Sequence, residues 1–160
     1  MVLQPKTYYL YPSNIFASRE IYYITTLLGS CVAVCLYDRR QQFGGMNHFM
    51  LPFWNGNGLA SPKYGNIAIA QLVQKMENLG SNRADLVAKI FGGASVLDID
   101  TTLFNVGERN AEQAMAELNN LGVKIIASSV KGEKARKIIF NTFTGEVRQK
   151  YIEKRTLKQK

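Results

Sequence analysis

The sequence predicts a layered α+β domain, on three observations. Two stretches, Tyr64–Leu79 and Glu108–Leu121, carry apolar residues at helical spacing, and each stops at a glycine. Six or more other segments have the β-branched and aromatic make-up of strands, and the last two read as a hairpin. The 160 residues are 46% hydrophobic and 20% charged, the composition of one globular domain able to bury its own core.

In chain order, residues 1–20 read as an irregular lead-in with room for one short strand. Ile21–Thr26 is strand-like, and Leu28-Gly29-Ser30 interrupts it. Cys31–Tyr37 is an unbroken apolar run of seven residues, read as a buried strand. Asp38–Gln42 is a polar turn. Phe43–Leu51 resumes as a strand, weakened at its start by Gly44-Gly45. Pro52–Lys63, with two prolines and two glycines, is a loop. The first helix places Ile69, Leu72, Val73, Met76 and Leu79 on one face and ends at Gly80. Leu86–Phe91 is the next strand, closed by Gly92-Gly93. Residues 96–104 read as a connection or short strand. The second helix buries Ala111, Ala114, Met115 and Leu118 and stops at Gly122. Val123–Ser129 is a strand, and Lys137–Phe143 with Val147–Ile152 forms the hairpin around Thr144-Gly145. The expected organisation is a single domain over 1–150 and a basic tail over 151–160.

The net charge of +8 is uneven. Residues 1–130 hold 10 basic and 9 acidic side chains; residues 131–160 hold 10 and 3. The high isoelectric point therefore belongs to the end of the chain. It suits a solvated tail, or a handle for an acidic protein partner. No base-stacking aromatic strand accompanies it, so nucleic acid is not an expected partner. No run approaches the roughly 20 apolar residues of a membrane helix, and no signal-peptide pattern opens the chain, so a cytoplasmic location is expected.

Two cysteines and one histidine cannot alone close a four-ligand zinc site, and no metal or cofactor is expected. Cys31 and Cys35 on one strand lie roughly 13 Å apart, beyond the ~7 Å a disulfide spans, and read as separate thiols. Cys31 follows a Gly-Ser turn, which leaves backbone N–H groups of Gly29 and Ser30 available to a ligand. The turn Asp38–Gln42 pairs Phe43 near Tyr37 and His48 near Val32, within one residue of register, which brings the imidazole beside Cys31. A thiol becomes a nucleophile when a base takes its proton, and the base needs a third group to orient it. Thr25 and Thr26, just upstream, can supply that group. Each of Cys31 and His48, taken singly, is more often a buried structural side chain than a reactive one.

The block Thr25-Thr26-Leu27-Leu28-Gly29-Ser30-Cys31-Val32-Ala33-Val34, followed by Gly44-Gly45-Met46-Asn47-His48-Phe49-Met50-Leu51-Pro52, closely resembles the CheD family of chemoreceptor glutamine deamidases. Lys89-Ile90-Phe91-Gly92-Gly93-Ala94, Asn105-Val106-Gly107-Glu108-Arg109-Asn110, and Arg136-Lys137 with Phe140 and Thr144-Gly145-Glu146-Val147 resemble further family motifs in order. The resemblance spans roughly 20–148. It implies an α/β/β sandwich with a mixed sheet, similar to the cytotoxic necrotising factor deamidases. It implies Cys31 as nucleophile, His48 as base and Thr25 as the histidine-orienting residue, with Thr26 as the fallback. It also implies methyl-accepting chemotaxis receptors as substrates, through their cytoplasmic helices, and a CheC-type phosphatase as a second partner. The chain departs from the family pattern at Ser128–Lys137, where an acid and two glycines are replaced, and at Val96, where the family often has Met.

The expected reaction is hydrolysis of a receptor glutamine amide through a thioester. The Ser30 and Gly29 backbone lies at the oxyanion, with N–H groups around Ser30 and Cys31 to hold it, and Phe43, Asn47 and Phe49 are candidate substrate contacts. Phe53 and Trp54 are further candidate walls, and all these aromatics are equally core residues. The alternative is a non-catalytic adaptor that binds receptors or the phosphatase through the same surface.

Overall fold

The computed structural model describes residues 4–95 and 105–153. Its strands are β1 (Lys6–Tyr9), β2 (Ile15–Ser18), β3 (Tyr22–Leu28), β4 (Val32–Asp38), β5 (Phe43–Asn47), β6 (Leu86–Gly92), β7 (Lys124–Val130), β8 (Ala135–Asn141) and β9 (Val147–Ile152). Helix α1 (Gly65–Asn78) follows β5, and α2 (Val106–Leu121) joins β6 to β7.

The strands form two mixed sheets, the two β layers of the expected α/β/β arrangement. The larger has the order β2-β5-β4-β6-β7, parallel only between β6 and β7; the smaller has the order β1-β3-β8-β9, parallel only between β1 and β3. Both helices pack on one face of the larger sheet, in a core that includes Val32, Val34, Leu36, Leu72, Met76, Ala111 and Leu118. The other face meets the smaller sheet through Ala33, Cys35, Met46, Ile24, Leu28, Ile138 and Phe140. The layers are thus helices, sheet and sheet. Strand β4 lies at the centre and is buried on both faces, which is why its sequence is apolar without alternation.

The helices end as their sequences dictate. Gly122 adopts the left-handed conformation (φ 75°) that stops α2, and the Asn105 side chain accepts the Glu108 N–H at its start. The lead-in differs from expectation, because it contributes two strands. Each has only four residues, too few for alternation to register, and each is held by a neighbour: β1 by β3 and β2 by β5. Gly45 accounts for part of this. A Cβ there would fall 2.5 Å from the Ala17 Cβ, so the glycine admits β2 against β5 instead of weakening the strand. Strand β5 is also shorter than Phe43–Leu51, for reasons that lie in the site. The basic run begins on an ordered strand, with Arg148 and Lys150 on β9. Lys154, Arg155, Lys158 and Lys160, and the 96–104 connection with Val96, lie outside the described residues.

Candidate active site

Cys31 ends the turn between β3 and β4, one residue before the strand. The turn is held from outside by its carbonyls. Gly29 C=O accepts the Ala94 N–H at 2.9 Å, Cys31 C=O accepts the Gly93 N–H at 2.9 Å, and Ser30 C=O accepts the Asn110 side-chain amide at 2.9 Å. Gly92 (φ 107°) lies so close to the Cys31 carbonyl that any Cβ would collide with it. Among the described residues, no other backbone carbonyl takes the Ser30 or Cys31 N–H. Cys31 is half-buried at this mouth, and Cys35 is fully buried between the sheets; both are free thiols.

Beyond Asn47 the partner strand leaves the regular ladder. The Asn47 side-chain oxygen takes the Val34 N–H at 2.8 Å in place of a backbone carbonyl. His48 exchanges backbone bonds with the Ser13–Asn14 turn. Phe49 and Val32 then bond reciprocally, after which Met50 and Leu51 both donate to Lys63 C=O. The strands therefore part at Cys31.

The register is one residue from the expected one: Tyr37 pairs with Gly44, and Val32 with Phe49. That residue decides the site, since a slip of one turns every side chain to the opposite face. Val32 and Phe49 face the helices. Cys31 and His48 consequently share the other face as diagonal neighbours, with backbones roughly 7–8 Å apart.

The imidazole is oriented by Thr26, whose Oγ1 lies 2.7 Å from His48 Nδ1. Thr25, implied for this role by the family resemblance, is not there. Along β3, Ile24, Thr26 and Leu28 point inward and are fully buried, whereas Thr25 lines the outer face with Tyr23 and Ile139. The Thr26 hydroxyl also donates its one proton to Leu10 C=O at 2.7 Å. It therefore meets Nδ1 as acceptor, so Nδ1 carries the ring proton and Nε2 the lone pair. Nε2 is buried with no partner among the described residues. Burial pushes the His48 pKa down to about 4, only partly offset by the Leu10 backbone. Burial also raises the Cys31 thiol, against a smaller opposing pull from its own amide. Both groups are thus neutral at pH 7.

The candidate substrate contacts are corrected. Phe43 and Phe49 are helix-side core, and Asn47 is fully buried with its oxygen committed to Val34. Met50 (37% exposed) stands by register across the gap from Cys31, and Phe53 (58%) is a further exposed apolar side chain three residues along the chain. Asn110, fully buried on α2, belongs to the site and was not singled out by residue type. Its signal is its phase: Asn110, Ala114 and Leu118 repeat every four residues on the apolar face, where a polar side chain requires a partner. Among the described residues no helix is long and apolar enough to cross a membrane, and no cluster of His, Cys, Asp and Glu could hold a metal ion.

Comparison with known proteins places the sequence in a family. A family model described as CheD chemotactic sensory transduction matches residues 50–151, beginning just past His48. A protein of Trichlorobacter lovleyi, named probable chemoreceptor glutamine deamidase CheD, is 49% identical over 142 residues, covering 89% of this chain and 88% of the relative. A protein of the same name from Sulfurimonas denitrificans is 48% identical over 147 residues, covering 91% and 94%. One from Methanococcus vannielii is 38% identical over 125 residues, covering 78% and 81%. A match of 142 residues within 160 necessarily spans the turn of Cys31 and the strand of His48. With family model and relatives in agreement over most of its length, the chain belongs to the CheD family.

Proposed function

We propose that the chain is a cysteine-dependent protein-glutamine deamidase that converts glutamines of chemotaxis receptors to glutamates. The observation that carries this reading is the Thr26–His48 contact, which leaves the lone pair of Nε2 on the face shared with Cys31. The names of the relatives supply the substrate class.

Nε2 takes the Cys31 proton as sulfur attacks the side-chain carbonyl carbon of a glutamine, forming the C–S bond. The carbonyl oxygen gains charge and is received by the N–H groups of Ser30 and Cys31. When the tetrahedral species collapses, the C–N bond breaks, and Nε2–H delivers its proton to the departing ammonia. Water, deprotonated by Nε2, then attacks the thioester. The acyl–sulfur bond breaks, the thiol regains its proton, and glutamate leaves. Met50 and Phe53 offer an apolar rim for a receptor helix, as amphipathic helices dock on such surfaces. The likeness to cytotoxic necrotising factor deamidases, the cytoplasmic setting and a CheC-type phosphatase as second partner belong to the same reading.

The test is ammonia release, with the amide-to-acid mass change, on a cytoplasmic receptor fragment using wild type and Cys31→Ala. Activity is expected in the first alone. Deamidation that survives Cys31→Ala would exclude the thiol route, and binding without deamidation by wild type would favour the adaptor.

A further inference from the structure

The two N–H groups assigned to the oxyanion sit on peptide units whose carbonyls are both tethered. In a trans peptide unit C=O and N–H point in opposite directions, so holding one aims the other. The Ala94 N–H holds Gly29 C=O and thereby aims the Ser30 N–H. The second tether is a side chain: Asn110 Nδ2 donates to Ser30 C=O at 2.9 Å and thereby aims the Cys31 N–H. The same Nδ2 donates to Met50 C=O at 3.0 Å, on the strand across the gap. Two carbonyl acceptors admit only the NH2 end of the carboxamide, which fixes its orientation. One buried group of α2 thus joins both strand ends at the point where they part.

We propose that Asn110 is a positioning residue for deamidation, which sets the Cys31 N–H for the oxyanion and holds the gap between Ser30 and Met50 at its working width. This rests on the reading of Cys31 as nucleophile. Asn110 acts through the Cys31 peptide unit, so its contribution appears when charge develops on the substrate oxygen. It bears on thiol deprotonation only through the smaller pull that the same amide exerts on the thiol.

Two reactions of the same thiol separate these effects. Deamidation passes through an oxyanion. Alkylation by iodoacetamide displaces iodide at a saturated carbon and forms none, so it reports only on the thiol and its base. Asn110→Ala is expected to lower kcat on a receptor fragment about 10²-fold, the lower end of the cost of losing one oxyanion donor. KM is expected to stay as in wild type, and the pH dependence of alkylation at Cys31 to change far less than kcat. Asn110→Leu fills the same space with neither donor nor charge and serves if the alanine variant does not fold. A folded variant with kcat within a few-fold of wild type would overturn the proposal. So would an alkylation profile that shifts along with kcat, or failure of both variants to fold, since either assigns Asn110 to the scaffold alone. A wild type that is alkylated but releases no ammonia would remove the deamidase reading and this role with it. An active wild type with an equally active variant removes this role only.

Discussion

Thr26→Val is the sharpest single perturbation of the site, because valine keeps the shape of threonine and removes two hydrogen bonds. The hydroxyl gives its proton to Leu10 C=O and accepts from His48 Nδ1, each at 2.7 Å. Without it, a buried Nδ1–H has no partner, and leaving such a donor unmade costs about 1–3 kcal/mol. The ring proton is then no longer held on Nδ1, and the imidazolium formed when Nε2 takes the Cys31 proton carries that unpartnered donor into the transition state. At about 1.4 kcal/mol per tenfold, kcat falls about 5- to 150-fold. KM is expected to hold, since Thr26 is buried away from any substrate surface. Thr26→Ser retains the hydroxyl and most of the rate, and Thr25→Val on the outer face leaves kcat unchanged. The assay is the amide-to-acid mass change of a receptor fragment under saturation, well below the melting temperature of each variant. An equal loss in Thr25→Val, or none in Thr26→Val, would refute the tautomer argument.

The remaining expectations concern pH and the scaffold. His48 must be neutral to act as base and is held down to about 4, so kcat/KM should stay level as pH falls through 6 and decline only near 4; an acid limb near 6.5 would contradict this. The same shift makes the fold acid-sensitive. The unfolded chain takes up the His48 proton near pH 6.5, before the folded chain does. About 3 kcal/mol of stability is therefore present above pH 6.5 and lost progressively as pH falls to 4, measurable as the urea midpoint against pH. Arg136, almost fully buried, donates to the carbonyls of Ser129, Lys131 and Lys134, so Arg136→Met should lower stability by about 2–3 kcal/mol with an unchanged denaturant slope.

The layers were legible because burial writes itself into period. The uninterrupted apolar run of β4 declares a strand covered on both faces, and the four-residue repeat of α2 declares its core side. Where period was too short or ambiguous, the reading stopped. Strands β1 and β2 have four residues each and exist only by pairing. Thr25-Thr26-Leu27-Leu28 offers a polar and an apolar residue in either phase, so composition could not choose which threonine faces the histidine. Ile24, two residues before Thr26, was the available guide. The aromatic contacts failed for a plain reason: Phe43 on β5 and Phe49 just past its end gain more from the core than from a rim. Asn110 went unassigned because its partners are main-chain carbonyls from distant segments, which no side-chain motif displays.

The fold and the chemistry meet in the neutrality of the pair. An exposed thiol beside a charged imidazole would stand as a thiolate and react with any electrophile. Here burial between the sheets raises one group and lowers the other, so charge separates only when an amide carbonyl is in place to accept it. A base of such low proton affinity drives the transfer weakly. The reaction must then draw on stabilisation waiting at the oxyanion, which costs no rearrangement when charge develops there. On the proposed mechanism, that requirement accounts for the tethering of the turn that carries Cys31 at three successive carbonyls, Gly29, Ser30 and Cys31, from two different segments of the chain. A rigid turn is what a weak base demands, and the parting of β4 and β5 at Cys31 is what lets that turn face a substrate.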